Sequence, residues 1–124
     1  MPVTNKLCDN GRILYRVIAD PWTVEDLLRA DALLKLHYDQ ANDKVHMLVN
    51  VRGARRVPPA VYRLGRGMTL SHPNSGYIAL VGASSMTRRL AENIFRIACF
   101  DRARFFDIEE DAWAFLRQFT PAER

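Results

Sequence analysis

Cysteine is scarce in this chain of 124 residues, which contains only two. Cys8 and Cys99 lack the close spacing of a zinc knuckle or of a redox-active pair. We therefore expect two reduced thiols, as is usual in a reducing cytoplasm. Cys99 stands in an apolar stretch at 97–100, which predicts that it packs in the core.

Long apolar runs are missing as well. No stretch approaches the roughly 18 residues needed to cross a bilayer, and the first six residues lack the apolar segment of a secretory signal. These absences predict a cytoplasmic protein without a membrane span. The length of 124 residues predicts one domain, 1–124, with a core of its own.

The sequence also lacks a recognisable catalytic or metal-binding constellation. The three histidines, His37, His46 and His72, are scattered, and none has the spacing of a metal-ligand pair. Ser71 precedes His72, but no third group is positioned to orient them. The acidic run 109–111 is typical of a first helical turn. We expect no metal, no cofactor and no enzymatic activity.

What the sequence does have is positive charge, a net +4 carried almost entirely by arginine. Such a surface binds phosphate or an acidic partner, or it is neutralised by ion pairs. Nucleic acid is disfavoured, because no basic helix or aromatic platform accompanies the charge. The clustered arginines are Arg52, Arg55, Arg56, Arg63, Arg66, Arg88 and Arg89.

Alternating signals for strands and helices run along the whole chain. Asn10-Gly11 predicts a tight turn between strands at 3–8 and 12–19. Thr23 is a good N-cap for a helix that continues to about His37. The later elements are predicted as a strand at 45–51, a helix from Pro58 through Val61 and Leu64, a strand at 77–81, a helix with Met86, Leu90, Ile94 and Ile97 on its inner face, a strand at 104–107, and a helix whose inner face carries Ala112, Phe115, Leu116 and Phe119.

This order, ββαβαβαβα, predicts the α/β class. About five strands form a mixed, mostly parallel sheet that opens with an antiparallel hairpin, and about four helices cover it. Right-handed crossovers place the connecting helices against the sheet.

Three segments resemble the STAS domain family, in particular its bacterial SpoIIAA-like branch. They are the strand 46–53, the strand 78–82 and the ending 105–116, where an aromatic strand precedes acidic residues and an Ala-x-x-Leu pattern. The family includes anti-sigma-factor antagonists and the cytoplasmic tails of sulfate transporters, and its fold is related to CRAL-TRIO lipid-transfer domains. The resemblance implies a non-enzymatic regulatory or protein-interaction module.

The chain departs from the family at its regulatory site. Antagonists of this family are phosphorylated on a serine at the start of the second long helix, whereas residues 56–60 here contain no hydroxyl group. Asn50 stands where many relatives have aspartate at the strand end. The phosphorylation switch is therefore not carried over to this chain.

We expect the binding site at the carboxyl ends of the central strands, where open α/β sheets bind ligands. Ser84 or Ser85 either helps to bind an anion or simply caps the helix that follows. The expected partner is an acidic protein surface, with a phosphate-bearing ligand as a further possibility; Trp22 is a candidate surface anchor. The candidate partner- or anion-binding residues are Arg52, Arg55, Arg56, Ser84, Ser85, Arg88 and Arg89.

An alternative function is the binding of a small molecule or lipid, as in CRAL-TRIO domains. It requires an apolar cavity of about 300 Å³ or more, which we expect between the helices at Val61 and Met86. A homodimer is compatible with the sequence, although no residue predicts its contact face.

Overall fold

The computed structural model describes residues 2–58, 60 and 69–120 of the chain. In them a five-stranded sheet alternates with three α-helices, so the α/β class is confirmed. The predicted helix through Val61 and Leu64 lies outside the described residues. The elements are β1 Val3–Cys8, β2 Ile13–Ala19, α1 Val24–Gln40, β3 Val45–Gly53, a 3₁₀ turn Thr69–Ser71, β4 Ser75–Val81, α2 Ser85–Ile97, β5 Ala103–Phe106 and α3 Glu109–Arg117.

The predicted hairpin is confirmed. β1 and β2 pair antiparallel, with Val3 opposite Ile18 and Cys8 opposite Ile13. The turn places Asp9, Asn10 and Gly11 at positive φ, a conformation that glycine adopts freely and that asparagine and aspartate tolerate better than other side chains do.

Helix α1 begins with the predicted capping box. The side chain of Thr23 accepts a hydrogen bond from the Asp26 N–H, and the Asp26 carboxylate accepts one from the Thr23 N–H. The polar interruption at Asp31 faces the sheet, where its Oδ1 lies 2.7 Å from Nη1 of Arg16 on β2. Asn5 on β1 accepts a further hydrogen bond from Arg16 Nε at 2.8 Å. The interruption therefore marks a buried ion pair.

The strands lie in the sheet in the same order as in the chain. β1 is antiparallel to β2, and β2 to β5 are mutually parallel. Each parallel connection thus advances by one strand in the same direction, and connections of one hand fall on one face of the sheet. Helices α1 and α2 share a core with that face, which we call the two-helix face. Helix α3 covers the other, the one-helix face.

The two faces hold separate cores. On the two-helix face, strand residues such as Leu14 and Val49 pack against Leu27 and Leu34 of α1. On the one-helix face, α3 buries a compact set of side chains completely. These are Ile13, Leu48, Ala79 and Val81 of the sheet with Ala112 and Leu116 of the helix.

Three side chains in α2 and just after it lie elsewhere than the sequence predicted. Met86 and Ile97 of α2 are exposed, whereas the predicted Ile94 packs against the core together with Ala91, and Thr87 takes the buried position in the first turn. Cys99 is exposed rather than packed in the core. It adopts a φ of 56° just after the helix, in the left-handed conformation that commonly ends helices, and Phe100 packs in its place.

Phe119 is also more exposed than predicted for an inner-face residue. It follows the end of α3, so the helical periodicity does not carry it inward. Its ring stacks on Tyr77 with the centroids 4.1 Å apart. It thus extends the aromatic border of the one-helix face instead of entering the core.

Candidate functional site

Residues 54–58, which we call the arginine loop, leave the carboxyl end of β3 and are fixed by Asp20 at the end of β2. The Asp20 carboxylate accepts hydrogen bonds from the backbone N–H of Arg55 at 2.8 Å and of Arg56 at 3.3 Å. Charge-assisted bonds of this kind are stronger than neutral ones. Asp20 therefore orients the backbone of the loop and leaves the guanidinium groups outside.

Two further contacts hold the arginine loop. Trp22 donates its indole N–H to the carbonyl of Arg56 at 3.0 Å. Thr87, in the first turn of α2, donates its hydroxyl to the carbonyl of Ala54 at 3.2 Å. The loop is thus bonded to the segment after β2 and to α2, which limits the number of conformations its backbone can adopt.

Arg55 and Arg56 enter these anchoring contacts through their backbone groups. Both residues are exposed, and no described residue forms an ion pair with either of them. An open cleft of about 500 Å³ lies beside the loop. Its lining residues are Asp20, Pro21, Trp22, Arg56, Val57 and Pro58.

Arg52, the first of the predicted arginines, is neutralised. Its Nη1 lies 3.2 Å from the carboxylate of Glu109 in α3. Its stem crosses Gly82 so closely that a Cβ at that position would overlap the Arg52 Cγ. Gly82 also has a φ of +78°, which gives a second reason for glycine there. Arg52 therefore joins β3, β4 and α3.

The predicted residues of α2 have mostly local contacts. Ser84 caps the helix by accepting a hydrogen bond from the Thr87 N–H at 3.2 Å, and Ser85 is the first helical residue, with its side chain exposed. Arg88 lies over the ring of Phe105 and pairs with Glu92 at 3.7 Å.

Arg89 is exposed and, like Arg55 and Arg56, has no ion-pair partner among the described residues. Because Thr87 bonds to Ala54, the first turn of α2 stands next to the arginine loop. Of the seven predicted residues, these three arginines are the cations for which no carboxylate of the described ranges forms an ion pair.

The strand order bears on where a ligand could bind. Doubly wound sheets open a crevice where the strand order reverses and helices diverge to opposite faces. Here the order β1 to β5 runs without reversal. The rule that ligands bind in such a crevice therefore does not locate a site in this sheet. The candidate site is located instead by the contacts that hold the arginine loop.

A polar cluster on the one-helix face was not foreseen from the sequence. The carboxylate of Glu109 accepts hydrogen bonds from the Tyr15 hydroxyl at 3.3 Å and from the Trp113 indole at 3.1 Å, in addition to Arg52. Asn50 donates to the Tyr15 hydroxyl at 3.0 Å. Besides its predicted place in the first turn of the helix, the Glu109 carboxylate joins β2, β3 and α3. The polar Asn50 within an apolar strand was the available signal.

In the described region, the apolar cavity on the two-helix face is smaller than lipid binding requires. On the two-helix face, α2 and the sheet border a cavity of about 120 Å³, lined by apolar residues that include Ile18, Leu80 and Ile94. The lipid-binding alternative calls for about 300 Å³ or more. Val61, the other predicted wall, lies outside the described residues.

The histidines have separate structural partners. His37 Nε2 lies 2.8 Å from the carbonyl of Gly11, and His72 Nε2 lies 2.7 Å from Asp39. Hydrogen bonds from Lys35 and His72 lower the pKa of Asp39. Within the described ranges, no three side chains of His, Cys, Asp or Glu come together as metal ligands.

Comparisons of this chain with protein-family models, curated proteins and solved structures find no match. Among the helices of the described region, none has both the length and the apolar character to cross a bilayer.

Proposed function

We propose that this chain is a non-enzymatic protein-interaction module, resembling STAS domains in the order of its elements, that binds an acidic surface of a partner protein through the arginine loop. The observation that carries the proposal is the contrast within that loop. Its backbone is held by Asp20, Trp22 and Thr87, while the charges of Arg55 and Arg56 remain unpaired by described residues.

The energetics of binding favour such an arrangement. Ordering a flexible loop and its side chains on association costs free energy that a loop already held in place does not lose again. Unneutralised guanidinium groups attract carboxylates at long range and pair with them in a two-pronged geometry. Trp22 and Arg56 both line the cleft beside the loop. Tryptophan and arginine are enriched among the interface residues that contribute most of the binding free energy.

The same chemistry favours binding over catalysis. Guanidinium groups stay protonated in proteins, so Arg55 and Arg56 offer charge and hydrogen-bond donors but no base or nucleophile. The neighbouring polar side chains, Asp20, Ser84 and Thr87, are occupied by backbone groups or by each other.

The proposal is tested by charge reversal in the loop. The double variant Arg55→Glu/Arg56→Glu and the wild-type chain are used to capture partners from the source cell, and the affinity for each captured protein is measured by titration calorimetry at two salt concentrations. We expect the variant to bind about tenfold more weakly or worse, and wild-type binding to weaken as salt rises.

A matched control separates the effect of the loop arginines on affinity from the effect of net charge. Arg96→Glu/Arg104→Glu makes the same change in charge on the last turn of α2 and on β5. This control should retain wild-type affinity. Equal affinity of the loop variant and the wild type for an identified partner would overturn the proposal, provided both melt at the same temperature.

A further inference from the structure

Strand β1 forms one edge of the sheet, and the phase of its hydrogen bonds shows which backbone groups face outward. The Ala19 N–H donates to the carbonyl of Pro2 at 2.9 Å, so Pro2 and Ala19 form a hydrogen-bonded pair. Such pairs alternate along an antiparallel ladder. The backbone groups of Thr4, Lys6 and Cys8 therefore point toward β2.

The residues between them, Val3, Asn5 and Leu7, direct their N–H and C=O groups away from the sheet. In the described part of the chain, no strand pairs with this side of β1. An edge of this kind is a template for another strand, and pairing would satisfy every outward group along the five residues from Val3 to Leu7.

The side chains beside this edge are unusually apolar for a surface. A groove of about 380 Å³ runs between β1 and α1, with Val3, Leu7 and Leu33 among its lining residues. Leu33 is 76% exposed and Leu7 47%. Large exposed apolar side chains grouped beside a free strand edge are typical of an interaction surface.

We propose that two copies of this chain associate by antiparallel pairing of their β1 strands, centred on Asn5, to form one continuous sheet across a two-fold axis. In this register Asn5 faces Asn5 of the second copy, and Val3 faces Leu7. Each facing pair exchanges both of its backbone hydrogen bonds. The second copy is the occupant because the strand is complementary to itself in this one register.

Charge selects that register over its neighbours. With the axis at Asn5, Lys6 of each copy lies opposite Thr4 of the other. With the axis moved to Lys6, two ammonium groups would face each other directly, which is destabilising. With the axis moved to Thr4, Leu7 would extend past the end of the paired segment and Val3 would lose its apolar partner.

The helices add apolar contact to the strand pairing. A two-fold axis perpendicular to the sheet keeps both α1 helices on the same face, one on each side of the axis. The groove of each copy then adjoins that of the other, and Leu33 and Leu7 are covered. Lys6 and Thr4 lie on the opposite face and stay in water.

Variants of two leucines on the same helix test the surface. Light scattering after gel filtration should give the wild type twice the chain mass of 14.2 kDa. Leu33→Glu should give the single-chain mass, and Leu36→Glu, at a position 64% exposed and outside the groove lining, should remain a dimer. A wild type of single-chain mass, or an unchanged dimer for Leu33→Glu, overturns the proposal.

A proline tests the strand pairing itself. Leu7→Pro removes an outward N–H and leaves the ladder to β2 intact, because that ladder uses Lys6 and Cys8. We expect this variant to be folded, as measured by circular dichroism, and to have the single-chain mass by light scattering. A folded Leu7→Pro dimer contradicts the proposal. If this variant does not fold, the masses of Leu33→Glu and Leu36→Glu test the proposal instead.

Cross-linking tests the register. In Thr4→Cys/Lys6→Cys the new thiols of the two copies face each other in a non-hydrogen-bonded pair, where Cα atoms lie about 4.5 Å apart, within the range for a disulfide. Oxidation should give a covalent dimer that reductant reverses. Lys6→Cys alone should not, because its thiol faces Thr4. Equal cross-linking of the single and double variants excludes the register.

Discussion

On the two-helix face the chain encloses a complete ion pair, Arg16 with Asp31, whose side chains are only 2% and 8% exposed. On the one-helix face the charged carboxylate of Glu109 stays at the rim, 27% exposed. Both charges of this pair are sealed from water beneath α1, whereas the buried set under the nine-residue α3 is apolar apart from the imidazole of His46, which is 3% exposed. Among the described residues, the two-helix face thus buries a pair of opposite charges, and the one-helix face buries a polar ring but leaves its carboxylate at the rim.

Breaking the sealed pair should have the largest effect. Asp31→Ala leaves the Arg16 guanidinium buried without its countercharge, which typically costs about 3–5 kcal/mol of unfolding free energy. Urea denaturation followed by circular dichroism measures this cost. The double variant Arg16→Met/Asp31→Leu removes both charges and should recover most of the loss. A cost below about 1 kcal/mol for Asp31→Ala would mean that water reaches Arg16.

Removing a buried side chain from α3 should cause the second-largest loss of stability. Leu116 of α3 is 0% exposed, and Leu116→Ala removes its contacts with the one-helix face and leaves a cavity. We expect a loss of about 3 kcal/mol in the same denaturation experiment. Leu36→Ala is the matched control on α1 and should change stability by less than about 0.5 kcal/mol. Equal losses for the two variants would show that α3 contributes little to the core.

The smallest effect should be a loss of stability at acidic pH, which arises from His46 on the one-helix face. Burial lowers the pKa of His46 below its usual 6.5, and a hydrogen bond with the backbone of Phe119 opposes part of this change. Its Nδ1 accepts the Tyr77 N–H at 2.9 Å and has no room for a proton in that arrangement.

The sign of the pH dependence follows from that depressed pKa. Below pH 6.5 the unfolded chain takes up a proton at His46 before the native chain does, so this contribution to stability is present above pH 6.5 and is lost as the pH falls through the folded pKa. One proton gives a slope of at most about 1.4 kcal/mol per pH unit. Urea midpoints measured against pH should fall less steeply for His46→Gln; parallel curves would exclude His46.

Local signals explain what was predictable of the fold. The turn at Asn10-Gly11 and the capping box from Thr23 to Asp26 involve residues at most three apart, and both were found from the sequence. The strands were found because apolar residues cluster there. The buried position in the first turn of α2 was not, because it is held by Thr87, whose hydroxyl is satisfied by Ala54, a residue 33 positions away.

The candidate site divides in the same way. The sequence located the cations of the arginine loop, since charge is visible in a residue list. It did not predict that Asp20, 35 positions away, would hold the loop, nor that Glu109 would neutralise Arg52 across 57 positions. Such pairings depend on which strand ends become neighbours, and hydrophobic periodicity carries no information about that.

The uninterrupted strand order also has a consequence for synthesis on the ribosome. In the described sheet, each of β2 to β5 pairs with the strand translated just before it, so each new strand emerges beside a strand that is already made. Assembly from the amino end can therefore keep pace with translation, with the nascent sheet growing by one strand at a time. Helix α3, which follows β5 in the chain, closes the apolar face that the growing sheet leaves open until that helix is translated.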